Sequence, residues 1–374
     1  MIYLDSCATT KVDESVLDAY YKFSQKYYAN SSSLHTMGQE ASNIFKKARK
    51  QICDILNINE DELIFTSGAS EANNMALKGV ILKNLKRGKH VITSKVEHPS
   101  VLNCLKQMEE LFDIEVTYLD VNSEGVISLS DLKNAIREDT ILVSLMFVNN
   151  ETGAINDVEG IKKVLKGKNI LFHCDATQGL MKIPLSLNGI DLLSMSGHKL
   201  HGLKGSGFLV KKRHVNLVPL IIGGAQEDGL RAGTSNYPLF ISLAKTVRLA
   251  YLDMDKNYQH VKKLNDYLRE ELNKMSFIKI NSPINGSPYC LNFSLDGINA
   301  KVVHNYLQEK GIMVSTVSAC SSSKITTSYV ILDMFNDVNR ASSSLRVSFS
   351  KYNTIEEVQE LVKVLKDACN EIKR

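Results

Sequence analysis

The sequence lacks the features that place a protein in a membrane, in the secretory pathway or on a nucleic acid. No uninterrupted apolar run approaches the ~20 residues that span a bilayer. The 45 basic and 41 acidic residues leave a formal charge of +4, so neither nucleic acid nor an anionic membrane is expected as a partner. The stretch around Asp5 has no basic region followed by an apolar one and does not resemble a signal peptide. We therefore expect a soluble, cytoplasmic protein.

The cysteines do not form the pattern of a disulfide framework or of a metal site. Their number, seven, is odd, and no two of them have the CxxC spacing. A chain of 374 residues with 44% hydrophobic residues can bury a core that needs no covalent staples. Reduced thiols and no bound metal are expected.

Strand-like and helix-like patterns alternate from about residue 62 to 210. Short β-branched runs such as ELIFTS, HVITS, TILVSLMFV and DLLSMS are separated by stretches with helical spacing, one of which we expect to be capped by Ser130. Alternation of this kind predicts an α/β fold with a mainly parallel sheet covered on both faces. Functional groups in such folds gather at the carboxyl ends of the strands.

A second pattern begins near Tyr258. Helix-like segments there enclose the strand candidates IKINS, YCLNFSL and SLRVSFS, and the last helix opens with a capping box formed by Thr354 and Glu357. We expect a large domain over residues 15–257 and a smaller α+β domain made of residues 1–14 and 258–374.

Lys199 and Asp175 each follow a strand candidate. Lys199 stands in SMSGHKLHGLKGSG, between small or polar neighbours and a glycine-rich turn, and Asp175 ends NILFHCD with Gln178 three residues on. An ordinary solvated lysine and a helix-capping carboxylate would fit these positions. A lysine that forms a Schiff base with a flat cofactor, and a carboxylate that keeps a pyridine nitrogen protonated, would fit them too.

Four more segments carry groups suited to a charged ligand. FTSGASEANN puts Ser70 at the start of a helix, where backbone N–H groups bind phosphate, although it matches neither GxxxxGK[ST] nor GxGxxG. KVEHPS places His98 between a strand and a helix, FVNNETG ends a strand candidate with Asn149 and Asn150, and SLRVSFS sets Arg346 inside a strand. An arginine beside a pocket clamps a carboxylate with two hydrogen bonds, whereas most strand arginines are exposed or structurally paired.

The stretch STVSACSSSK sets Cys320 among small hydroxyl residues that pack poorly and favour irregular backbone. We expect a loop in which this thiol has no chemical role, is a metal ligand or is a nucleophile.

Together these motifs resemble the cysteine desulfurases, pyridoxal-phosphate enzymes of aminotransferase fold type I. The resemblance runs nearly end to end and rests on YLDSCATTKVD, SSSLHTMGQEA, FTSGASEANN, EHPSV, NNETG, HCDATQ, SGHKLHGLKG, GGAQEDGLRAGT, LNFS, SACSS and SSLRVSFS. It implies the fold-type-I architecture, with a seven-stranded, mainly parallel sheet in the large domain, and pyridoxal 5'-phosphate as cofactor.

The resemblance also assigns roles to individual residues. It implies that Lys199 forms the Schiff base, that Cys320 is the nucleophile and that His98 stacks on the cofactor ring and assists proton transfer. The remaining assignments are Asp175 at the ring nitrogen, Gln178 at the ring oxygen, Ala69, Ser70, Ser196 and His198 at the phosphate, Thr234 at the phosphate of a neighbouring subunit, and Asn150 and Arg346 at the substrate carboxylate.

The reaction implied is conversion of L-cysteine to L-alanine with transfer of sulfur to Cys320 as a persulfide. The seven residues SSSKITT after Cys320 are similar to the long-loop group of the family, whose loop reaches scaffold proteins. A homodimer that supplies iron–sulfur assembly or tRNA thiolation is expected. A selenocysteine lyase and a non-catalytic sulfur-relay subunit remain the alternatives, and the SACSS loop argues against an aminotransferase.

Overall fold

The structure, a computed structural model, describes residues 1–316 and 327–372. In these two ranges the helices are α1 (Glu14–Lys26), α2 (Thr36–Leu56), α3 (Ala69–Asn84), α4 (Pro99–Phe112), α5 (Leu129–Ala135), α6 (Val158–Leu165), α7 (Tyr237–Leu252), α8 (Met254–Asn273), α9 (Ala300–Glu309), α10 (Tyr329–Phe335), α11 (Val338–Ser342) and α12 (Ile355–Ile372). The strands are β1 (Ile2–Tyr3), β2 (Leu63–Thr66), β3 (His90–Ser94), β4 (Glu115–Leu119), β5 (Thr140–Ser144), β6 (Leu171–Asp175), β7 (Leu192–Ser196), β8 (Gly207–Lys211), β9 (Ile278–Ile280), β10 (Cys290–Leu295), β11 (Ile312–Met313), β12 (Ser315–Thr316) and β13 (Ser344–Ser348).

Seven strands form one large sheet in the order β2-β8-β7-β6-β5-β3-β4. Strand β8 runs antiparallel to both of its neighbours, and the other neighbouring strands are parallel. Every residue of β2, β3, β5, β7 and β8 is buried, as expected for strands covered by helices on both faces. The predicted α/β fold with a seven-stranded, mainly parallel sheet is confirmed.

Two local predictions in this part of the chain are wrong. Helix α5 is capped by Ser128, whose hydroxyl accepts the N–H of Asp131, and not by Ser130. Strand β5 ends at Ser144, so Asn149 and Asn150 lie in the following loop and not at a strand end. That loop is held by the Asn149 side chain, which accepts backbone N–H bonds from Glu151 and Thr152; local hydrogen bonding of this kind competes with a strand.

A second, antiparallel sheet has the order β12-β13-β10-β9, and β1 pairs with β11 in parallel. Helices α8, α9 and α12 cover this region and share a separate hydrophobic core with it, in which Leu291, Phe293 and Leu345 are buried. The predicted capping box is present, because Thr354 and Glu357 exchange backbone and side-chain hydrogen bonds. The proposed domain limits, 1–14 with 258–374 and 15–257, stay a prediction.

Residues 2–13, here called the N-terminal segment, connect the two sheets. Leu4 donates its N–H to the carbonyl of Met313 and accepts the N–H of Ser348. Farther along, Thr10 donates its N–H to the carbonyl of His198, just beyond the large sheet. The segment thus lies where the carboxyl ends of β6 and β7 meet β13.

None of the helices in the described ranges is both long enough and apolar enough to cross a membrane.

Candidate functional site

A cleft of about 380 Å³ opens at the carboxyl ends of the large sheet, next to β13. It contains nearly all of the residues expected at a cofactor site, and they come from both sheets. The predicted residues that line it are Ala69, Ser70, His98, Asn150, Asp175, Gln178, Ser196, His198, Lys199 and Arg346. Thr234 is exposed and does not line the cleft, and Cys320 lies outside the described residues.

Lys199 ends the short helical turn Gly197–Lys199 that directly follows β7. Its ammonium group donates hydrogen bonds to the backbone carbonyls of Cys7 and Ala8, the latter at 2.7 Å. The N-terminal segment therefore holds the amine at the wall of the cleft. The neighbouring His198 is bonded to Thr9 through Nδ1, and burial with the nearby charge of Lys199 lowers the pKa of its imidazole to about 4.

Asp175 is the last residue of β6, and its carboxylate is almost completely buried. One oxygen accepts the backbone N–H of Thr177 at 3.0 Å, and the other accepts the side-chain N–H of Asn73 at 2.8 Å. Asn73 is a site residue that sequence reasoning missed, although it stands within the FTSGASEANN motif. Both bonds fix the orientation of the carboxylate in the cleft.

His98 caps α4 through Nδ1, which accepts the backbone N–H of Ser100 at 3.1 Å. Burial lowers the pKa of the His98 imidazole, so the ring stays neutral at neutral pH. With Nδ1 acting as acceptor, Nε2 carries the proton.

Helix α3 begins beside the cleft and offers it an N-terminus suited to an anion. Its capping position is Gly68, which has a φ of +147° and makes no side-chain cap hydrogen bond. A Cβ at Gly68 would approach Ser196 Oγ to 3.3 Å, so this glycine allows the helix start and the end of β7 to lie close together. Backbone N–H groups of Ala69 and Ser70 are then available for a phosphate.

Arg346 on β13 is buried and reaches the cleft from the second sheet. Its guanidinium donates to Asp5 at 2.8 Å and to the backbone carbonyl of Asn150 at 2.9 Å. Within the described part of the chain, Arg346 Nε and the Asn150 side-chain oxygen have no hydrogen-bond partner. A buried donor without a partner lowers the stability of the folded protein, which indicates that a ligand accepts its hydrogen bond.

These features fit pyridoxal phosphate. The cleft provides an amine, a carboxylate, an imidazole, a helix N-terminus and a buried donor in a volume suited to a small cofactor with its substrate. Thr177 Oγ, another buried polar atom that has no partner among the described residues, belongs to the same cleft. A flat, phosphorylated ring with its substrate would supply hydrogen-bond partners to buried polar atoms that have none among the described residues.

Glu97, next to His98, gives a prediction about stability and pH. Burial raises the pKa of its carboxyl group from 4.5 to about 8. The folded chain then keeps this proton up to about pH 8, whereas the unfolded chain releases it above about pH 4.5, so the stability contributed is complete below pH 4.5 and is lost as the pH rises through 8. Relative to Glu97→Gln, we expect the wild-type free energy of unfolding to fall between pH 5 and 8 by on the order of a few kcal/mol, measured by urea denaturation.

Glu110→Gln, on the exposed face of α4, is the matched control and should follow the wild-type pH dependence. Wild-type and Glu97→Gln curves that run parallel from pH 5 to 8 would contradict the prediction.

Comparison with known proteins agrees with this geometry. The sequence pattern of the family described as aminotransferase class-V matches residues 2–361. The chain belongs to the class-V aminotransferase family. It is 40% identical over 368 residues, 97% of this chain and 93% of the relative, to cysteine desulfurase IscS of Dictyoglomus turgidum.

Two solved structures are similar to this chain over nearly its whole length. A NifS-like protein superposes with a TM-score of 0.93 at 36% identity and covers 99% of both chains. A structure described as SspA in complex with cysteine has a TM-score of 0.84 at 34% identity, with 95% of this chain and 100% of the other covered. The resemblance to cysteine desulfurases and the fold-type-I architecture are confirmed.

Proposed function

We propose that the chain is a pyridoxal-phosphate-dependent cysteine desulfurase that converts L-cysteine to L-alanine and transfers the sulfur to Cys320. The observation that carries the proposal is the joint placement of Lys199, Asp175 and Arg346 in one cleft. The cofactor-binding amine and carboxylate come from the large sheet, and the candidate carboxylate clamp comes from β13. The cysteine-bound relative supports L-cysteine as the substrate.

Lys199 would hold the cofactor covalently, Asp175 would face its ring nitrogen and the start of α3 would hold its phosphate. When bound, pyridoxal phosphate acts as an electron sink that stabilises negative charge at the substrate Cα. Gln178 contributes orientation, because its amide N–H bonds the carbonyl of Cys7 at 3.0 Å and its amide oxygen accepts Lys182 at 3.1 Å. This fixed amide would hydrogen-bond the ring oxygen of the cofactor.

Arg346 and Asn150 would bind the substrate carboxylate. Arg346 Nε is a buried donor with no partner in the described chain, and a carboxylate supplies the charged acceptor that it lacks. Asp5 holds the other side of the guanidinium at 2.8 Å and fixes its plane. Substrates without a carboxylate should therefore lose this interaction.

Lys199 Nζ would then move the proton at the substrate Cα, and His98 would assist with the proton on Nε2. The neutral imidazole of His98 is suited to this work, because a charged ring would oppose a nearby ammonium group. The thiolate of Cys320 attacks the substrate sulfur; the Cβ–S bond breaks, an S–S bond forms on Cys320, and the carbon fragment takes up protons to leave as alanine.

The persulfide on Cys320 implies a second protein as acceptor. We propose a scaffold for iron–sulfur assembly or a tRNA-thiolation protein. The exposed Thr234 lies outside this chain's own cleft, which supports a homodimer in which it serves the neighbouring subunit's phosphate. A thiol that must cycle through a persulfide works where thiols are kept reduced, which favours the cytoplasm.

Alanine formation tests the proposal directly. We expect the pyridoxal-loaded wild type to release alanine from L-cysteine, and Cys320→Ala to release at least about tenfold less, because the sulfur then lacks its nucleophile. Ser322→Ala, two positions away in the sequence, is the matched control and should keep the wild-type rate. Alanine is measured by chromatography under reducing conditions.

Other outcomes distinguish the alternatives. A Cys320→Ala variant that releases alanine from selenocysteine alone, at the wild-type rate, would favour a selenocysteine lyase. If neither protein releases alanine although the cofactor absorbance is present, the desulfurase proposal fails and a non-catalytic role gains support.

A further inference from the structure

Cys7 lies in the wall of the cleft, at a position for which the proposed reaction has no use. Its side chain lines the cleft together with Lys199 and Arg346. Its backbone carbonyl accepts hydrogen bonds from both Lys199 Nζ and Gln178 Nε2. A change in the conformation of Cys7 is therefore transmitted directly to two side chains assigned to the cofactor.

A second thiol, that of Cys290 on β10, lies next to Cys7. Cys7 donates its N–H to Ser348 Oγ at 2.9 Å, and Ser348 is the register partner of Cys290 in the antiparallel pair of β10 and β13. The Cys7 sulfur lies 3.9 Å from the carbonyl oxygen of Tyr289, which belongs to the peptide bond that leads into Cys290. The two cysteines are 283 positions apart in sequence, and the fold makes them neighbours.

The two thiols differ in how strongly they hold their protons. The pKa of the Cys7 thiol is lowered, first by its interaction with the Cys290 side chain and then by the positive charges of Arg346, Lys182 and Lys199. The Cys290 thiol donates to the backbone carbonyl of Glu151 at 3.1 Å. The pKa of Cys290 is raised by burial and by the neighbouring Cys7 sulfur. Cys7 thus has thiolate character, and Cys290 keeps the proton.

The pKa values of other buried cysteines in the described chain are shifted in the opposite direction. Burial raises the pKa of Cys53, Cys104 and Cys174, and no positive cluster offsets it. Thiolates react with oxidants and thiols do not, so reactivity is concentrated at the one cysteine of this group that faces the cleft.

We propose that Cys7 and Cys290 form a disulfide when a hydroperoxide enters the cleft, so that the pair is an oxidative modification site of this protein. The Cys7 sulfur attacks the peroxide O–O bond; a sulfenic acid forms on Cys7, and hydroxide leaves and is protonated to water. The Cys290 sulfur then attacks the Cys7 sulfur, an S–S bond forms, and a second water leaves. The two thiols lose two electrons in total, and these reduce one hydrogen peroxide to two waters.

The disulfide acts on the cofactor site through the backbone. The two sulfurs must approach to about 2.05 Å to become a disulfide, so the Cys7 side chain moves toward β10. The Cys7 carbonyl, which holds Lys199 and Gln178, moves with it. The oxidised protein should therefore turn over L-cysteine more slowly until a reductant restores both thiols.

Peptide mapping after peroxide treatment tests the site independently of turnover. Trypsin places Cys7 in a peptide of residues 1–11 and Cys290 in one of residues 280–301, and each peptide holds a single cysteine. Pyridoxal-loaded protein carrying Cys320→Ser, which removes the expected reactive thiol, is treated with hydrogen peroxide, alkylated in denaturant and digested. We expect a cross-linked pair of these two peptides, two hydrogens lighter than their sum, which disappears on reduction with a phosphine.

Single substitutions assign the order of events. In Cys290→Ser the cross-link should be absent and dimedone should label Cys7, whereas in Cys7→Ser peroxide should leave Cys290 fully alkylated. Cys174→Ser, which removes a buried thiol elsewhere, should retain the cross-link. Full alkylation of Cys7 and Cys290 after peroxide, or a cross-link from Cys7 to another cysteine, would overturn the proposal. This result is obtained with both thiols intact, so it does not depend on whether the Cys7 and Cys290 variants fold.

Discussion

Lys199→Ala should lower the rate of alanine formation by on the order of 10³-fold or more, because the variant loses both the covalent anchor of the cofactor and the base for the substrate Cα proton. The amine is already held at the cleft wall by the carbonyls of Cys7 and Ala8, so no large rearrangement is needed for it to reach the cofactor. Borohydride reduction followed by peptide mass analysis should find the cofactor on Lys199 in the wild type. The variant should carry no adduct.

Two further lysines near the cleft serve as comparisons for Lys199. Lys204 also lines the cleft but is exposed, and Lys182 is buried behind Gln178. Lys204→Ala is the matched control and should keep both the adduct and the activity. An adduct on Lys182 or Lys204 in the wild type would show that the Schiff-base lysine has been assigned to the wrong residue.

Arg346→Leu should reduce kcat/KM for L-cysteine by roughly 30- to 3,000-fold, since losing one partner of a buried, hydrogen-bonded charge pair costs about 2–5 kcal/mol. Most of the loss should appear in KM if the guanidinium binds substrate and transition state equally. The chemical control is L-cysteine methyl ester, which has no carboxylate for Arg346 to bind. Its kcat/KM should change far less than that of L-cysteine when Arg346 is replaced.

Arg340→Leu separates binding from stability. Arg340 is a partly buried arginine near β13 that bonds Asn281 and the carbonyl of Ile280, away from the cleft. Its replacement should lower the free energy of unfolding but leave KM for L-cysteine near the wild-type value. Equal losses on L-cysteine and on the methyl ester in Arg346→Leu would contradict a carboxylate clamp and indicate a structural role for its pairing with Asp5.

The part of the site built by the large sheet could be predicted because parallel strands bring their carboxyl ends to one edge. Asp175 ends β6 and Lys199 follows β7, and these two strands are neighbours, so local patterns were enough to place the two side chains together. The same reasoning placed His98 at the start of a helix after β3. The order of the strands in the sheet was therefore enough to predict that these side chains lie at one edge.

The part built across the two sheets could not be predicted from residues alone. Nothing local to SLRVSFS indicates that Arg346 meets Asp5 and the Asn150 carbonyl, because these contacts depend on how the second sheet packs against the first. The resemblance to a family supplied only the role of Arg346 and Asn150 at the substrate carboxylate. That Cys7 and Cys290 are neighbours cannot be predicted from local sequence either, because it depends on the register of β10 with β13. Local errors, such as the cap at Ser130, arose where two hydroxyl residues compete for one helix start.

The N-terminal segment has a consequence for the order in which the site is completed during synthesis. Asp5 is separated from Arg346 by 341 positions and Cys7 from Lys199 by 192, so residues that leave the ribosome early wait for partners made much later. The strands from β2 to β8 can pair as soon as residue 211 is available, and Thr10 can then bond His198, but Leu4 and Asp5 lack their partners on β13 until that strand has emerged. A nascent chain that stalls before residue 344 would hold a finished large sheet and a cleft without Arg346. A cofactor that binds this cleft would therefore meet its complete set of side chains only in a nearly full-length chain.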